Sequence, residues 1–183
     1  DRIYLNNQAS KCSPSNAGCR ELVGLKPGVN LVENGNFASN LLAGWQESGA
    51  GCLFNVETGQ LSVVGANCQL VTDGFIPVSS DYTYQLSYQV RSDEAASFDL
   101  DFGKYNALPS GQPGTFDSTI NLEANYSLPA SDDFTTLSYS IGAEGDHNLT
   151  DSISFVQIYF TLTSDPTSSI ELDNIQFSIL KSP

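Results

Sequence analysis

The stretch that decides the fold is Asn30-Leu-Val-Glu-Asn-Gly-Asn-Phe-Ala-Ser-Asn-Leu-Leu-Ala-Gly-Trp45. A short apolar segment leads into an Asn-Gly turn, where we expect Gly35 to take a positive φ because glycine does so without steric cost. Phe37 and Trp45, the only tryptophan of the chain, lie on either side of a polar loop of small residues. The stretch therefore predicts a strand end, a tight turn and two large rings that anchor a core.

Downstream of these rings the apolar residues recur at every second position, which is the period of a strand with one buried face. No window repeats them at i, i+3, i+4 and i+7, as an amphipathic helix would. Shorter strands are predicted at 53–57, 61–65 and 68–72. The sequence therefore predicts an all-β chain, an antiparallel β-sandwich of jelly-roll type with about ten strands. The inward sets are Tyr82, Tyr84, Leu86, Tyr88 and Val90; Phe98, Leu100 and Phe102; Ile120, Leu122, Ala124, Tyr126 and Leu128; Leu137, Tyr139 and Ile141; and Ile175, Phe177 and Ile179.

The composition limits the classes of partner that the chain is expected to bind. It has 183 residues and a net charge of −14, and only 15% of its residues are charged. Nucleic acids and anionic membranes bind clusters of Lys and Arg, so we expect neither as a partner. No apolar run reaches the roughly 18 residues of a membrane span. The acidic body is compatible with calcium binding or with plain solvation. The chain shows no signal peptide and begins at Asp1, so we take it as a mature or excised fragment.

The four cysteines form two local pairs, Cys12 with Cys19 and Cys52 with Cys68. Zinc spacing is absent, since there is no CxxC and His147 is the only histidine. Two disulfides are the better interpretation, which favours an exported protein, extracellular or on the cell surface. We divide the chain into residues 1–29, a disulfide-bearing extension or the tail of a preceding module, and residues 30–183, the β-sandwich.

One predicted strand, at 154–163, breaks the alternation of apolar and polar faces. Its outward set contains Phe155, Gln157 and Tyr159 beside an ordinary apolar inward set. Aromatic rings pack on the C–H groups of sugars and amides pair with their hydroxyls, so this mixture predicts a glycan site on a rigid sheet. An alternative is that the N-terminal segment or a loop covers the two rings. Neighbouring strands or loops supply further candidates, Gln69, Asp99, Asp101 and Tyr105.

The two ends of the sandwich carry a family resemblance. The opening stretch, together with Leu172-Asp173-Asn174-Ile175 near the end, resembles carbohydrate-binding modules of the family 4, 9 and 22 group, over about residues 30–180. The resemblance implies a galactose-binding-like β-sandwich that holds a polysaccharide or oligosaccharide on its concave sheet. Gln157 matches a glycan-binding glutamine of those modules, whereas Thr161 stands where a second glutamine is commoner.

The resemblance also implies a structural calcium ion that joins the two ends of the sandwich. Transferred residue by residue, its ligands are Asn36, the carbonyl of Gly59 and Asp173, with Glu33 nearby. Calcium takes six to eight oxygen ligands, which such side chains and carbonyls supply. Ala38 replaces a glutamate that many relatives have. The alternative is that Asp173 and its neighbour only form a bulge before the last strand.

Catalysis has little support in the sequence. One histidine gives no nucleophile–base–orienter set, and a glycosidase needs two carboxylates at a fixed separation. Asp99, Asp101 and Glu123 are predicted on outward faces, but nothing singles out a pair. We therefore expect a non-catalytic carbohydrate-binding module of a larger secreted or cell-surface protein, covalently linked to neighbouring domains. The alternative is a structural or adhesive spacer that binds no glycan.

Overall fold

The computed structural model describes residues 27–38, 41–108, 110–163 and 167–181. These ranges form eleven β-strands and no helix. Within them, therefore, no helix is long and apolar enough to cross a membrane. The strands are β1 (Trp45–Ser48), β2 (Leu53–Glu57), β3 (Gln60–Val64), β4 (Cys68–Thr72), β5 (Ile76–Pro77), β6 (Thr83–Ser92), β7 (Ala96–Ala107), β8 (Pro113–Leu128), β9 (Ser131–Gly142), β10 (Ile153–Leu162) and β11 (Ser169–Lys181).

The strands build two antiparallel sheets. Sheet A has the order β1-β4-β10-β7-β8, with the short β5 paired to β10, and sheet B has the order β2-β3-β11-β6-β9. The prediction of an antiparallel β-sandwich is confirmed. The sequence did not indicate β1 and β5 as strands, because segments of four and two residues are too short to show a period.

The core lies between the two sheets and is filled by the inward set of each strand. Phe37 is fully buried and Trp45 nearly so. Their ring centroids lie 6.0 Å apart, and Trp45 lies 6.4 Å from Phe160 of β10. The prediction that these two rings anchor the core is confirmed.

In the described residues before Trp45 there is no strand, so the predicted strand end is wrong. The turn itself uses its glycine differently from our expectation. The positive φ values fall on Asn34 (51°) and Phe37 (48°), and Gly35 has none, so that prediction is wrong. Gly35 is instead required by close approach, because a Cβ built on it would lie 1.9 Å from the carbonyl oxygen of Ile175. The Ile175 N–H donates to the Gly35 carbonyl at 2.8 Å. The Asn30 amide also donates to the Ile175 carbonyl at 2.9 Å, so the opening turn is bound to the last strand.

The edge strand β8 departs from strict alternation. Its register against β7 shifts so that Leu100 lies opposite Glu123 while the next residue pairs with Asn121. Glu123 consequently faces inward and accepts a 2.8 Å hydrogen bond from the Tyr139 hydroxyl of sheet B. Ala124 is exposed. The expectations of an outward Glu123 and an inward Ala124 are therefore wrong, because a bulge inserts an extra residue.

The disulfide between Cys52 and Cys68 is present, with the two Cα atoms 5.6 Å apart. It connects the start of β4 to the segment just before β2. The predicted pair Cys12–Cys19 lies outside the described residues, as does most of the predicted extension at 1–29.

Candidate functional site

The outward face of sheet A, which we call the open face, collects all seven side chains predicted to bind a ligand. Across β10 and β7, Phe155 lies opposite Tyr105, and Tyr159 lies opposite Asp101. Two residues beyond Tyr159 on β10, Thr161 lies between Asp99 of β7 and Gln69 of β4. Gln157 lies between Phe155 and Tyr159 on β10, opposite Gly103 of β7. The structure therefore brings together Phe155, Gln157, Tyr159, Gln69, Asp99, Asp101 and Tyr105.

One end of the open face is aromatic. Tyr105 of β7 lies between Phe155 of β10 and Phe116 of β8. The Tyr105 ring makes edge contacts with Phe75 at 4.8 Å and with Phe116 at 5.5 Å between centroids. Phe75 is 40% and Phe116 56% exposed. Exposed rings in contact with one another are typical of a binding surface rather than of a core.

The sequence pattern indicated neither Phe75 nor Phe116. Phe75 lies in a turn just before β5, outside any alternating segment. Phe116 is displaced from the alternation by a register shift that pairs Lys104 with Ser118 but Tyr105 with Phe116. Within the sequence, only their aromatic residue type could have indicated these positions.

The other end of the open face is polar and acidic. Asn121 of β8 donates to Asp101 at 2.8 Å, and the backbone N–H of Asn125 donates to Asp99 at 2.6 Å. Gln69 donates to the hydroxyl of Thr161 at 3.3 Å. Burial, followed by the charge of the neighbouring Asp99, raises the pKa of Asp101, although its hydrogen bond with Asn121 lowers it. This end offers hydroxyl, amide and carboxylate groups to a ligand.

The amide of Gln157 is already hydrogen-bonded within the protein. Its nitrogen donates to the backbone carbonyl of Thr72 at 2.9 Å, and its oxygen accepts from the Tyr159 hydroxyl at 3.0 Å. The Tyr159 hydroxyl in turn lies 2.7 Å from the Tyr105 hydroxyl. Gln157 is 8% exposed. It lies on the predicted face, but beneath the aromatic rings rather than beside them.

The Tyr159 ring lies across Gly103 of the neighbouring strand. A Cβ on Gly103 would be 2.7 Å from the Cε2 atom of Tyr159 and 3.3 Å from the ring of Tyr105. Glycine at this position therefore lets the Tyr159 ring settle against the sheet. Burial raises the pKa of the Tyr159 phenol, so it stays protonated at neutral pH. The alternative that the N-terminal segment covers this ring concerns residues outside the described ranges.

Asn36, Gly59 and Asp173, which are predicted to bind calcium, line one pocket between the opening turn, the β2–β3 turn and β11. The pocket is open and polar, with a volume of about 470 Å³. Asp173 and Asn174 reach it from a bulge within β11, where Asn174 has a φ of 49°. The predicted bulge is therefore present, although it lies inside the last strand rather than before it. The lining residues are Asn36, Ala38, Thr58, Gly59, Asp173 and Asn174.

The donor chemistry of this pocket fits calcium. Apart from Ala38 and Gly59, its lining residues carry hydroxyl, amide or carboxylate side chains, and none is a lysine, arginine or histidine. A Cβ on Gly59 would lie 3.4 Å from the carbonyl oxygen of Asn36, so the two backbone segments are adjacent. Burial raises the pKa of Asp173, against the effect of a hydrogen bond from the Asn174 N–H. In the described part of the chain no three His, Cys, Asp or Glu side chains cluster, so an ion here would depend on amide and carbonyl oxygens.

Comparison with known proteins identifies the fold. Neither a family model nor a curated protein matches the sequence. Among solved structures, a family 4 carbohydrate-binding module is 19% identical with a TM-score of 0.52, covering 81% of this chain and 99% of its own. The xylan-binding CBM22-1 domain of Xyn10C from Paenibacillus barcinonensis is 14% identical with a TM-score of 0.61, covering 86% and 99%.

A different kind of protein shares the same sandwich. The enzymatically active domain of tailspike protein 4 from bacteriophage CBA120 is 12% identical with a TM-score of 0.60. The match covers 85% of this chain but only 22% of the tailspike chain. The chain is therefore a β-sandwich with the fold that carbohydrate-binding modules have. Its fold is of the family 4 and 22 type, as the end motifs predicted.

Proposed function

We propose that the chain is a non-catalytic carbohydrate-binding module that holds a glycan on the open face of sheet A. The observation that supports this is the division of the face into exposed aromatic rings at one end and hydroxyl, amide and carboxylate groups at the other. Sugars need both kinds of contact, since their C–H faces pack on rings and their hydroxyls pair with polar groups. The fold of the carbohydrate-binding modules supports the same conclusion.

The strand geometry suggests how a glycan chain lies on this face. Strands are spaced by about 4.8 Å, close to the length of one pyranose residue. A chain that crosses the strands obliquely would meet polar side chains such as Gln69, Thr161 and Asp99 on successive strands and extend toward the rings of the aromatic end. We infer that the acidic end contributes hydrogen-bond acceptors to sugar hydroxyls.

We further propose that the module serves a larger exported protein, extracellular or on the cell surface. The Cys52–Cys68 disulfide supports an oxidising compartment. Modules of this kind direct neighbouring domains to a polysaccharide, which is why we expect covalently linked neighbours. We expect no nucleic-acid or membrane partner, given the net charge of −14.

The test is binding of the folded domain to xylan, β-glucans, alginate and other polysaccharides by affinity electrophoresis and calorimetry. Phe116→Ala should weaken binding about tenfold, since a ring contact contributes roughly 0.5–1.5 kcal/mol beyond its buried area. Its unfolding temperature should hardly change, because the ring is 56% exposed. Leu53→Ala, 68% exposed on β2 of the other sheet, is the matched control and should bind normally.

Two results would contradict this function. Absence of binding across the whole panel, with the domain shown to be folded, would favour the structural or adhesive spacer. New reducing ends released from oligosaccharides would instead indicate an enzyme.

We also propose that the pocket lined by Asn36, Gly59 and Asp173 holds a structural calcium ion. The ion would join the opening turn to β11 and so stabilise the folded state. At a hundred times its Kd, calcium should add about 2.7 kcal/mol to the unfolding free energy. The measurement is thermal unfolding in calcium, in magnesium and after chelation. Asp173→Asn should abolish the calcium effect, whereas Asp93→Asn in an exposed turn should keep it. Identical unfolding with calcium and after chelation would refute the site.

A further inference from the structure

The hydrogen bonds beneath the aromatic end of the open face have a fixed direction. The carbonyl of Thr72 can only accept, so the Gln157 side chain must turn its nitrogen toward it. The Gln157 oxygen then faces the Tyr159 hydroxyl and accepts its hydrogen at 3.0 Å. A hydroxyl has a single hydrogen to give, so the Tyr159 oxygen must accept from the Tyr105 hydroxyl, 2.7 Å away.

This chain of bonds ends at Tyr105, whose hydrogen is given to Tyr159. Within the described residues the Tyr105 oxygen has no other hydrogen-bond partner, and the residue is half-buried on the open face. Its remaining lone pair can accept a hydrogen bond but the group has no hydrogen left to donate. Any ligand that meets this hydroxyl must therefore supply the hydrogen.

We infer that Gln157 is a positioning residue that orients the Tyr159–Tyr105 pair, so that the aromatic end presents an acceptor to a hydroxyl hydrogen of the ligand. This inference rests on the proposed glycan site and names the ligand group that it selects, a free hydroxyl rather than an ether or a carboxylate. It also means that Gln157 makes no hydrogen bond to the glycan, since both polar atoms of its amide are already bonded within the protein.

The first test needs no ligand and uses Gln157→Glu. A protonated glutamic acid can donate to Thr72 and accept from Tyr159 as glutamine does, whereas an ionised one cannot donate. Burial raises the pKa of such a carboxyl, and the carboxylates on the same face, Asp99 and Asp101 of β7 and Asp73 beyond β4, raise it further. The stability of the variant should therefore equal that of the wild type only below the unfolded pKa of a glutamate, about 4.3, and fall progressively below it as the pH rises through the raised folded value. Gln85→Glu, on sheet B, is the matched control and should show no such deficit.

The second ligand-free test uses Gln157→Leu and Tyr159→Phe, singly and together. If the bonds form one chain, the unfolding free energy of the double variant should equal that of the worse single variant. Additive effects would overturn this chain of hydrogen bonds whether or not any glycan binds. So would a loss of stability in Gln157→Glu that is the same at every pH.

Binding then tests the specificity with soluble xylo- and cello-oligosaccharides and their O-methylated analogues. The wild type should bind the free oligosaccharide about tenfold or more better than the methylated one, because the latter leaves the acceptor unpaired. Tyr105→Phe should reduce this preference several-fold without removing it, because the carboxylates of the acidic end also accept from sugar hydroxyls, and an unchanged preference would overturn the inference. Failure of the wild type to bind any glycan would refute the proposed function. The hydrogen-bond chain from Gln157 to Tyr105 would then be judged by the two stability tests alone. Loss of binding in Gln157→Leu with unchanged stability would show that its amide touches the glycan, which would overturn the inference.

Discussion

The substitution Gly103→Ala should reveal whether the Tyr159 ring is held against the sheet. The new Cβ would lie 2.7 Å from the Cε2 atom of Tyr159. Carbon atoms in contact are normally 3.5–4.0 Å apart, so the ring must retreat by about 1 Å. That movement pulls the Tyr159 hydroxyl away from Gln157 and Tyr105, and each lost hydrogen bond costs about 0.5–1.5 kcal/mol. Replacing a strand glycine by alanine returns about 0.5–1 kcal/mol.

The net expectation is a loss of about 1 kcal/mol, which corresponds to a fall of roughly 2–4 °C in the unfolding temperature. The decisive comparison is the same substitution in a Tyr159→Ala background, where only the Tyr105 ring, 3.3 Å from the new Cβ, remains nearby and can move into the space left by Tyr159. There, Gly103→Ala should stabilise by about 0.5–1 kcal/mol, because only the gain in backbone entropy remains. The sign of the effect therefore reverses between the two backgrounds. Urea denaturation of the four proteins gives the coupling free energy directly.

Gly74→Ala is the matched control, because a Cβ at Gly74 would have no atom within 4 Å. It should not destabilise the protein and should leave glycan binding unchanged. An effect of Gly103→Ala that is equal with and without the Tyr159 ring would refute the argument, since the methyl group would then act elsewhere.

Three further predictions concern the stability of the protein. Gly35→Ala should destabilise the protein by about 3 kcal/mol or prevent its folding, because the new Cβ would lie 1.9 Å from the backbone oxygen of Ile175. A soluble variant with wild-type urea denaturation would contradict this. Replacing both Cys52 and Cys68 by alanine should lower the unfolding free energy by about 3 kcal/mol, and an unchanged urea midpoint would refute that estimate. Because burial raises the pKa of Asp101, the stability that this group contributes is present below its unfolded pKa and is lost as the pH rises through the folded value. Asp101→Asn should therefore be more stable than the wild type at neutral pH and equal to it in acid, as denaturation across pH would show.

The sequence by itself determined the architecture. Alternation with a period of two depends only on which residues share a strand face, so β6, β7 and β10 and their buried sets could be predicted from it. The same local signal placed Phe155 and Tyr159 on an outward face. The cysteine pair 52 and 68 was also evident, because a short loop separates its members.

The tertiary structure decided every feature that depends on contact between distant segments. Gly35 is required by Ile175, which lies 140 positions later in the sequence, so local turn rules assigned the wrong reason for it. Bulges in β8 turned Glu123 inward and Phe116 outward, and a bulge is set by the partner strand rather than by the residues themselves.

The candidate site shows the same division. A local pattern indicated Gln157 as a ligand group, but only the packing of β10 against β4 and β7 shows that its amide is bonded to Thr72 and Tyr159. Likewise, Asn36 and Asp173 were expected to meet from the end motifs, and the three-dimensional fold places both on one pocket. Sequence determines which side of a strand each side chain occupies, whereas hydrogen-bond partners across strands follow from register, and register exists only in the assembled sheets.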